Sequence, residues 1–329
     1  MTVKSGAESA PRLSAILIVR DEAHCIERCL RSVRTIVDEI IVLDSGSTDQ
    51  TVAIAQSFGA NVEITDWPGY GPQKNRALNR ARGEWVLSID ADEHVTPQLA
   101  ASIRATVESP QPSVNGYFIQ FLATWCGRRV HFGDWGGKRH LRLFRRTGAR
   151  FTDVSVHEGV VCQPPYGTLD GIMIHDTVTS EEEAIKKTRL YAELGAQELR
   201  ARGRGGLSSA VLHSTWALLR GFLLKGGFLD GAIGWKVAWT ITRRTWLRYR
   251  RAGQRTRVGD GISATAGLWQ LAFGRMAKSA FVAARNEMRL IVAGAFPSFD
   301  LSGTGSIAAS LIKIALVVAL ILAIFDYVT

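Results

Sequence analysis

The chain has 329 residues, 46% of them hydrophobic, long enough for one large domain or two modest ones with a real core. Its net charge of +10 suits nucleic acid or an anionic membrane surface, and without a zinc knuckle, an RNA-binding aromatic signature or a helix-turn-helix pattern it points to the membrane rather than to nucleic acid. Four cysteines with no C-x-x-C pair, and a start (residues 1–12) without an apolar stretch, exclude a disulfide scaffold and a signal peptide and indicate a reducing cytosolic setting.

After a flexible start over residues 1–12, Leu13 to Val19 is a continuous apolar run, the pattern of a buried parallel strand. Ile26, Leu30, Val33 and Val37 follow at helical spacing, and Ile40 to Leu43 is a second buried strand ending at Asp44. Ser47 or Thr48 is positioned to cap a helix carrying Val52, Ala55 and Phe58, closed by Gly59. Asn61 to Thr65 reads as a short strand and Gln73 to Arg82 as a helix stopped by Gly83. A strand over Glu84 to Ile89 then ends in Asp90-Ala91-Asp92, and Thr96 and Pro97 open another helix.

This alternation is that of an α/β, doubly wound, mostly parallel sheet, in which ligands bind beyond the carboxyl ends of the strands. Three such ends carry polar residues: Arg20-Asp21-Glu22, Asp44 to Asp49, and Asp90-Ala91-Asp92. They are expected to share one rim. The last strand delivers two carboxylates one residue apart at its tip, and strand alternation puts both on one face, a hard oxygen site for Mg²⁺ or Mn²⁺ beside a substrate diphosphate.

From about Gly116 the chain turns to short strand-like segments, among them Leu141 to Arg146 and Val154 to Glu158. Glu181 to Arg202 reads as a polar helix and Gly203 to Gly206 as a break. Ser208 to Trp246 is apolar but interrupted by charges, with Trp216, Trp235, Trp239 and Trp246 interspersed, a composition that fits amphipathic helices lying in a membrane interface. Seven arginines over Arg243 to Arg257 fit contact with anionic headgroups. Ile307 to Val328 is almost wholly apolar and, at roughly 1.5 Å per residue, reaches about 30 Å, a bilayer core. We read 307–329 as a transmembrane helix; the positive charges before it place the body on the cytoplasmic side of the inner membrane.

Leu17 to Glu22, Val42 to Asp49, Gln73 to Ala77 and Ile89 to Glu93 resemble, in order and spacing, the N-terminal half of family 2 glycosyltransferases with the GT-A fold. Leu141 to Arg146, Val156-His157-Glu158 and Gly227 to Gly231 look like the bacterial lipopolysaccharide inner-core β-1,4-glucosyltransferase branch. The resemblance runs over roughly residues 13 to 252. It implies a nucleotide-sugar-binding half over 13–115 and an acceptor-binding half over 116–178; composition alone makes 179–306 a helical, membrane-interfacial region. The resemblance also implies inverting transfer from a nucleotide diphosphate sugar, most simply a UDP-hexose, to a lipid-linked saccharide. The same fold would serve transfer to a polyprenyl phosphate, or nucleotide-sugar binding without turnover.

By match to those motifs, Asp44 with Ser45 and Gly46 holds the uracil or ribose edge, and Ile18, Val19 and Glu22 frame the nucleoside. Asp90 sits near the ribose and Asp92 ligates the metal. Lys74 and Arg76 are candidates for the donor phosphates, and Arg142 and Arg145 for acceptor phosphates. An inverting transfer needs a base on the acceptor hydroxyl. Glu158 is the first candidate and Asp134 the second; where the family often places an Asp before Leu-Arg-Leu-Phe, this chain has Lys138-Arg139-His140.

Overall fold

The computed structural model describes residues 12–108, 114–152 and 159–254. They divide into two compact units, the first running to Thr179 except for Phe132–Asp134, which belongs with 180–254 in the second. Strand β1 (Leu13–Val19) is the centre of the first unit and is buried along nearly all its length. It is flanked in parallel by β2 (Glu39–Asp44) and β4 (Trp85–Ser88), with β3 (Asn61–Ile64) outside β2. Helices α1 (Ile26–Val33), α2 (Thr51–Ser57) and α3 (Tyr70–Arg80) connect them. Helix α1 buries Ile26, Cys29, Leu30 and Val33, a stripe at i, i+3, i+4 and i+7, so its one thiol, Cys29, packs in the apolar core. Helix α4 (Pro97–Glu108) starts as its sequence suggests, with the Leu99 N–H donating to Thr96 Oγ1 at 3.4 Å.

The remaining strands correct the expectation of a mostly parallel sheet. Strand β8 (Arg139–Arg145) joins β4 antiparallel, β6 (Gly116–Trp125) joins β8 antiparallel, and β11 (Tyr166–Val178) runs parallel to β6. Short β5 (Glu93–Val95) closes the row antiparallel to β11, giving the order β3-β2-β1-β4-β8-β6-β11-β5, with β7 (Arg128–Val130) a hairpin partner of β6. Strands β9 (Arg150–Phe151) and β10 (Val160–Val161) pair separately. The sheet is mixed because β8 leaves the rim instead of approaching it, a direction that an apolar run alone does not encode. Nor is there a structural break at residue 116: Leu13 and Trp85 share one core with Ile119, Leu143 and Met173. At Gly171 (φ 99°) β11 bulges and lets α4 come close, since a Cβ there would stand 2.4 Å from the Leu99 nitrogen.

In the second unit α5 (Glu181–Ala201) is capped by Ser180, whose Oγ accepts from the Glu183 N–H, and three glutamates occupy its first turn. Helix α6 (Leu207–Leu218) widens into a π turn over Leu219–Leu224, and a 3₁₀ turn over Gly227–Asp230 leads into α7 (Gly231–Gly253). Ala192, Ala210 and Ala238 let these helices approach closely around Trp246 and Leu247. Among the described residues no helix is long and apolar enough to cross a membrane. The apolar stretch 307–329, and all of 255–306, lie outside the described residues.

Candidate active site

The loops after β1 and β2 are stitched together. Asp44 is buried, and its Oδ1 accepts from the Gly46 and Ser47 N–H groups at 2.9 and 2.8 Å while Oδ2 accepts from the Ser47 hydroxyl. This fixes a turn in which Gly46 takes φ 87°, a conformation suited to glycine. Asp21 (φ 55°) donates its N–H to Ser47 Oγ at 2.8 Å and accepts from the Thr48 N–H at 2.7 Å; Glu22 donates its N–H to Thr51 Oγ1. Ser47 and Thr48 therefore join the two loops rather than cap α2, whose side-chain support comes from Asp49 accepting the Thr51 N–H. Gln73 Nε2 donates to Ser45 Oγ and Thr65 Oγ1, tying α3 to the same rim. Val19 is buried and Ile18 half-buried, so that stretch frames the rim through its backbone.

Asp90 and Asp92 are not presented by strand alternation. Strand β4 ends at Ser88, and 89–92 form a turn in which the Glu93 N–H donates to the Asp90 carbonyl at 3.0 Å. The turn aims the carboxylates at different partners. Lys74 Nζ lies 2.9 Å from Asp90 Oδ1 and Arg142 Nη2 lies 2.9 Å from Oδ2. Burial alone would push the Asp90 carboxyl up, but the charges of Lys74 and Arg142 outweigh it and hold the group well below the usual carboxylate range. Both Asp90 oxygens are thus engaged by cations.

Glu93, also buried, accepts from Arg142 at 2.6 Å with one oxygen and from the Asp90 N–H at 3.0 Å with the other. Burial, with repulsion from Asp90 against the pull of Arg142, pushes its carboxyl up to about 7. Asp92 turns the other way, to His175 on β11, with Nε2 and Oδ2 3.2 Å apart. Burial opposes charging of this imidazole, but the Asp92 carboxylate prevails and raises its pKa. Strand β11 is held in place by the neighbouring Asp176, whose N–H donates to the Asp92 carbonyl at 2.8 Å. The Asp176 carboxylate accepts from Arg28 at 2.6 Å and from Thr124 at 2.8 Å. His140, two residues before Arg142 on β8, is exposed as a residue; desolvation of its ring, with the charges of Arg142 and Lys138, pushes its pKa down. Glu93, His140, His175 and Asp176 are site residues the sequence reading had no role for.

The structure therefore brings Asp44, Ser45, Gly46, Lys74, Asp90, Asp92 and Arg142 to the rim and sets others apart. Arg76 pairs with Asp66 at 2.6 Å on the exposed side of α3. Arg145 sits at the opposite end of β8, in register with Trp85, where it pairs with Glu84 and lies over the Trp85 ring. Arg145 is thus occupied in packing away from Asp90; the β6–β8 register shifts between Leu141 and Leu143, so strand alternation does not relate it to Arg142. Asp134 belongs to the second unit, 2.9 Å from both Arg220 and Lys225, and those two cations overcome burial to hold its carboxyl below the usual range. Glu158 lies outside the described residues.

The model of glycosyl transferase family 2 matches residues 14–160. An uncharacterized glycosyltransferase of Rickettsia bellii is 30% identical over 254 residues, covering 72% of this chain and 84% of its own. The lipopolysaccharide core biosynthesis glycosyltransferase LpsC of Rhizobium meliloti is 27% identical over 274 residues, covering 76% of this chain and 97% of its own. Among solved structures, glucosyl-3-phosphoglycerate synthase from Mycobacterium tuberculosis overlaps 41% of this chain and 57% of its own, at 22% identity and a TM-score of 0.32.

Proposed function

Because the chain belongs to glycosyl transferase family 2, we propose that it moves a hexose, with inversion, from a UDP-sugar to a lipid-linked saccharide such as a lipopolysaccharide core. The acceptor would be met at the cytoplasmic leaflet of the inner membrane, with 307–329 as the anchor. The observation that carries the reading is the Asp92–His175 pair, set beside an Asp90 already neutralised by Lys74 and Arg142. The likeness to LpsC supports the choice of acceptor.

The residues present fit a divalent metal. Asp92 and His175 offer one oxygen and one nitrogen donor 3.2 Å apart, both partly exposed, and a carboxylate with an imidazole suits Mn²⁺ or Mg²⁺ beside a diphosphate. When bound, the metal would neutralise charge developing on the leaving nucleoside diphosphate. The protein's own groups supply the rest. The Asp44 turn and the interlocked Asp21–Thr48 loop shape the nucleoside end, and Asp90 is kept ionised and oriented for the ribose. The acceptor hydroxyl oxygen attacks the anomeric carbon as the bond to the donor phosphate breaks, and its proton passes to a carboxylate oxygen. Glu158 is the proposed base, since Asp134 is bound to two cations and held at low basicity.

The test is metal-dependent thermal stabilisation by a panel of nucleotide sugars, followed by transfer to a lipid-linked acceptor, because a bound donor raises apparent stability by mass action. Stabilisation by a UDP-hexose only with Mn²⁺ or Mg²⁺ is expected. Stabilisation that ignores the metal would overturn the metal assignment. Binding without turnover on any lipid acceptor would overturn the transfer.

A further inference from the structure

The second unit presents an apolar edge that the transfer chemistry does not use. After the π turn the chain reverses at Gly226 (φ 68°) and returns through Gly227–Asp230 into α7. The backbones meet too closely for side chains: a Cβ on Gly234 would stand 1.7 Å from the Gly227 carbonyl oxygen, and one on Gly227 2.6 Å from that of Gly221. With no room inside, the large side chains of the turn point outward. Leu223, Phe228, Leu229 and Trp235 are 51%, 50%, 58% and 45% exposed, and Phe132, which approaches Leu229 around Gly226, is 42% exposed. The Phe222 ring joins Phe228 at 6.4 Å and Trp235 at 5.4 Å, and Phe132 and Leu229 both flank Gly226.

At the turn itself the charges balance, Arg220 and Lys225 against Asp134 and Asp230. The positive excess belongs to the unit: across residues 180–254 fourteen Lys and Arg stand against six Asp and Glu. Exposed leucine, phenylalanine and tryptophan on a unit with surplus cations match the layering of a lipid interface, acyl carbon below and phosphate above. A second copy of the chain, carrying the same +10, would meet this edge with like charge.

We propose that Leu223–Trp235, with Phe132, docks in the interface of an anionic phospholipid bilayer, its apolar side chains among the acyl carbons and Lys225 and Arg220 at the phosphates. The proposal rests on the reading that the acceptor is membrane-borne, and it identifies the surface that would bring the second unit to it.

Hydrogen–deuterium exchange on the full chain tests this even with 307–329 attached, because the readout is local. Phosphatidylcholine–phosphatidylglycerol vesicles should slow amide exchange in 219–235 by about tenfold or more, and phosphatidylcholine vesicles should not. The triple variant L223S/F228S/L229S, altered only at exposed positions, should lose that protection while keeping UDP-sugar binding and its melting temperature. Unchanged exchange in 219–235 of vesicle-bound protein would overturn the proposal. So would protection that appears without vesicles and grows with protein concentration, which would make a second copy the occupant. Equal protection on neutral vesicles would overturn the anionic assignment. Loss of donor turnover with this protection intact would instead refute the transferase reading.

Discussion

His175 Nε2 stands 3.2 Å from Asp92 Oδ2, although 83 residues separate them in the chain. The pair is held by main chain on both sides: His175 is in register with Glu93, and the Asp176 N–H donates to the Asp92 carbonyl. Two donor atoms fixed by strand pairing need little rearrangement to meet a cation, which is how a rigid element makes a precise site.

Asp92→Asn and His175→Ala should each remove metal-dependent stabilisation by a UDP-sugar and lower transfer by a factor on the order of 10² or more. The fold should persist, since both side chains are partly exposed at the rim. Calorimetric titration of Mn²⁺ checks binding apart from turnover. A folded Asp92→Asn protein that turns over normally at limiting metal would rule out the assignment.

Arg142 and Arg145 lie three residues apart on β8 and should behave oppositely. Arg142→Ala leaves Asp90 and Glu93 without their shared cation and should abolish measurable donor binding. Arg145→Ala removes an ion pair with Glu84 and a cation over Trp85; it should cost about 1 kcal/mol of stability and leave donor binding intact. Donor titrations and denaturant melts of the two proteins decide the matter.

Glu158→Gln should lower the transfer rate by about 10² to 10⁴ with donor affinity nearly unchanged. Asp134→Asn should instead show itself as a loss of about 1–3 kcal/mol in stability, because Arg220 and Lys225 would lose their common carboxylate. The reverse ranking in rate, with both proteins folded and binding donor, would move the base to Asp134.

Glu39 marks the other end of the sheet from the rim. Burial raises its carboxyl, but hydrogen bonds from Ser14 Oγ and from the Arg82 N–H and side chain win, and its pKa falls below the ordinary value. A group lowered on folding stabilises above its unfolded pKa, about 4.3 for glutamate, and that contribution disappears as the pH drops through the lower, folded value. Glu39→Gln should therefore cost about 1–2 kcal/mol near neutral pH, and the gap to the native protein should close on acidification below about pH 4. Urea melts across that range measure it; a gap that widens towards acid would refute the role.

The parallel half of the sheet was legible because strands covered on both faces, such as Leu13–Val19, have to be continuous apolar runs. Asp44, Asp90 and Asp92 were legible because the carboxyl ends of such strands form a rim. The turn after Ser88 was not, since an apolar run does not record where a strand stops, and the shared face expected of Asp90 and Asp92 went with it. His175 gave no local signal: a single histidine in a strand acquires meaning only through pairing with Glu93 across a long separation. The contrast between Arg142 and Arg145 was not available either, because the register of β8 against β6 shifts between Leu141 and Leu143 and strand alternation does not carry across it.

Phe132–Asp134 is a piece of the second unit that lies within the first along the chain. These residues are made early in translation, yet Asp134 meets Arg220 across 86 positions and the Phe132 N–H meets Asp230 across 98. A fragment ending at Thr179 would carry Asp134 with no cation to receive it, and a fragment starting at Ser180 would hold Arg220 and Lys225 with no carboxylate between them. A protease cutting once anywhere in 135–179 would separate the three residues from the rest of the second unit along the chain. No single scission within 132–179 can therefore leave both units with all their residues.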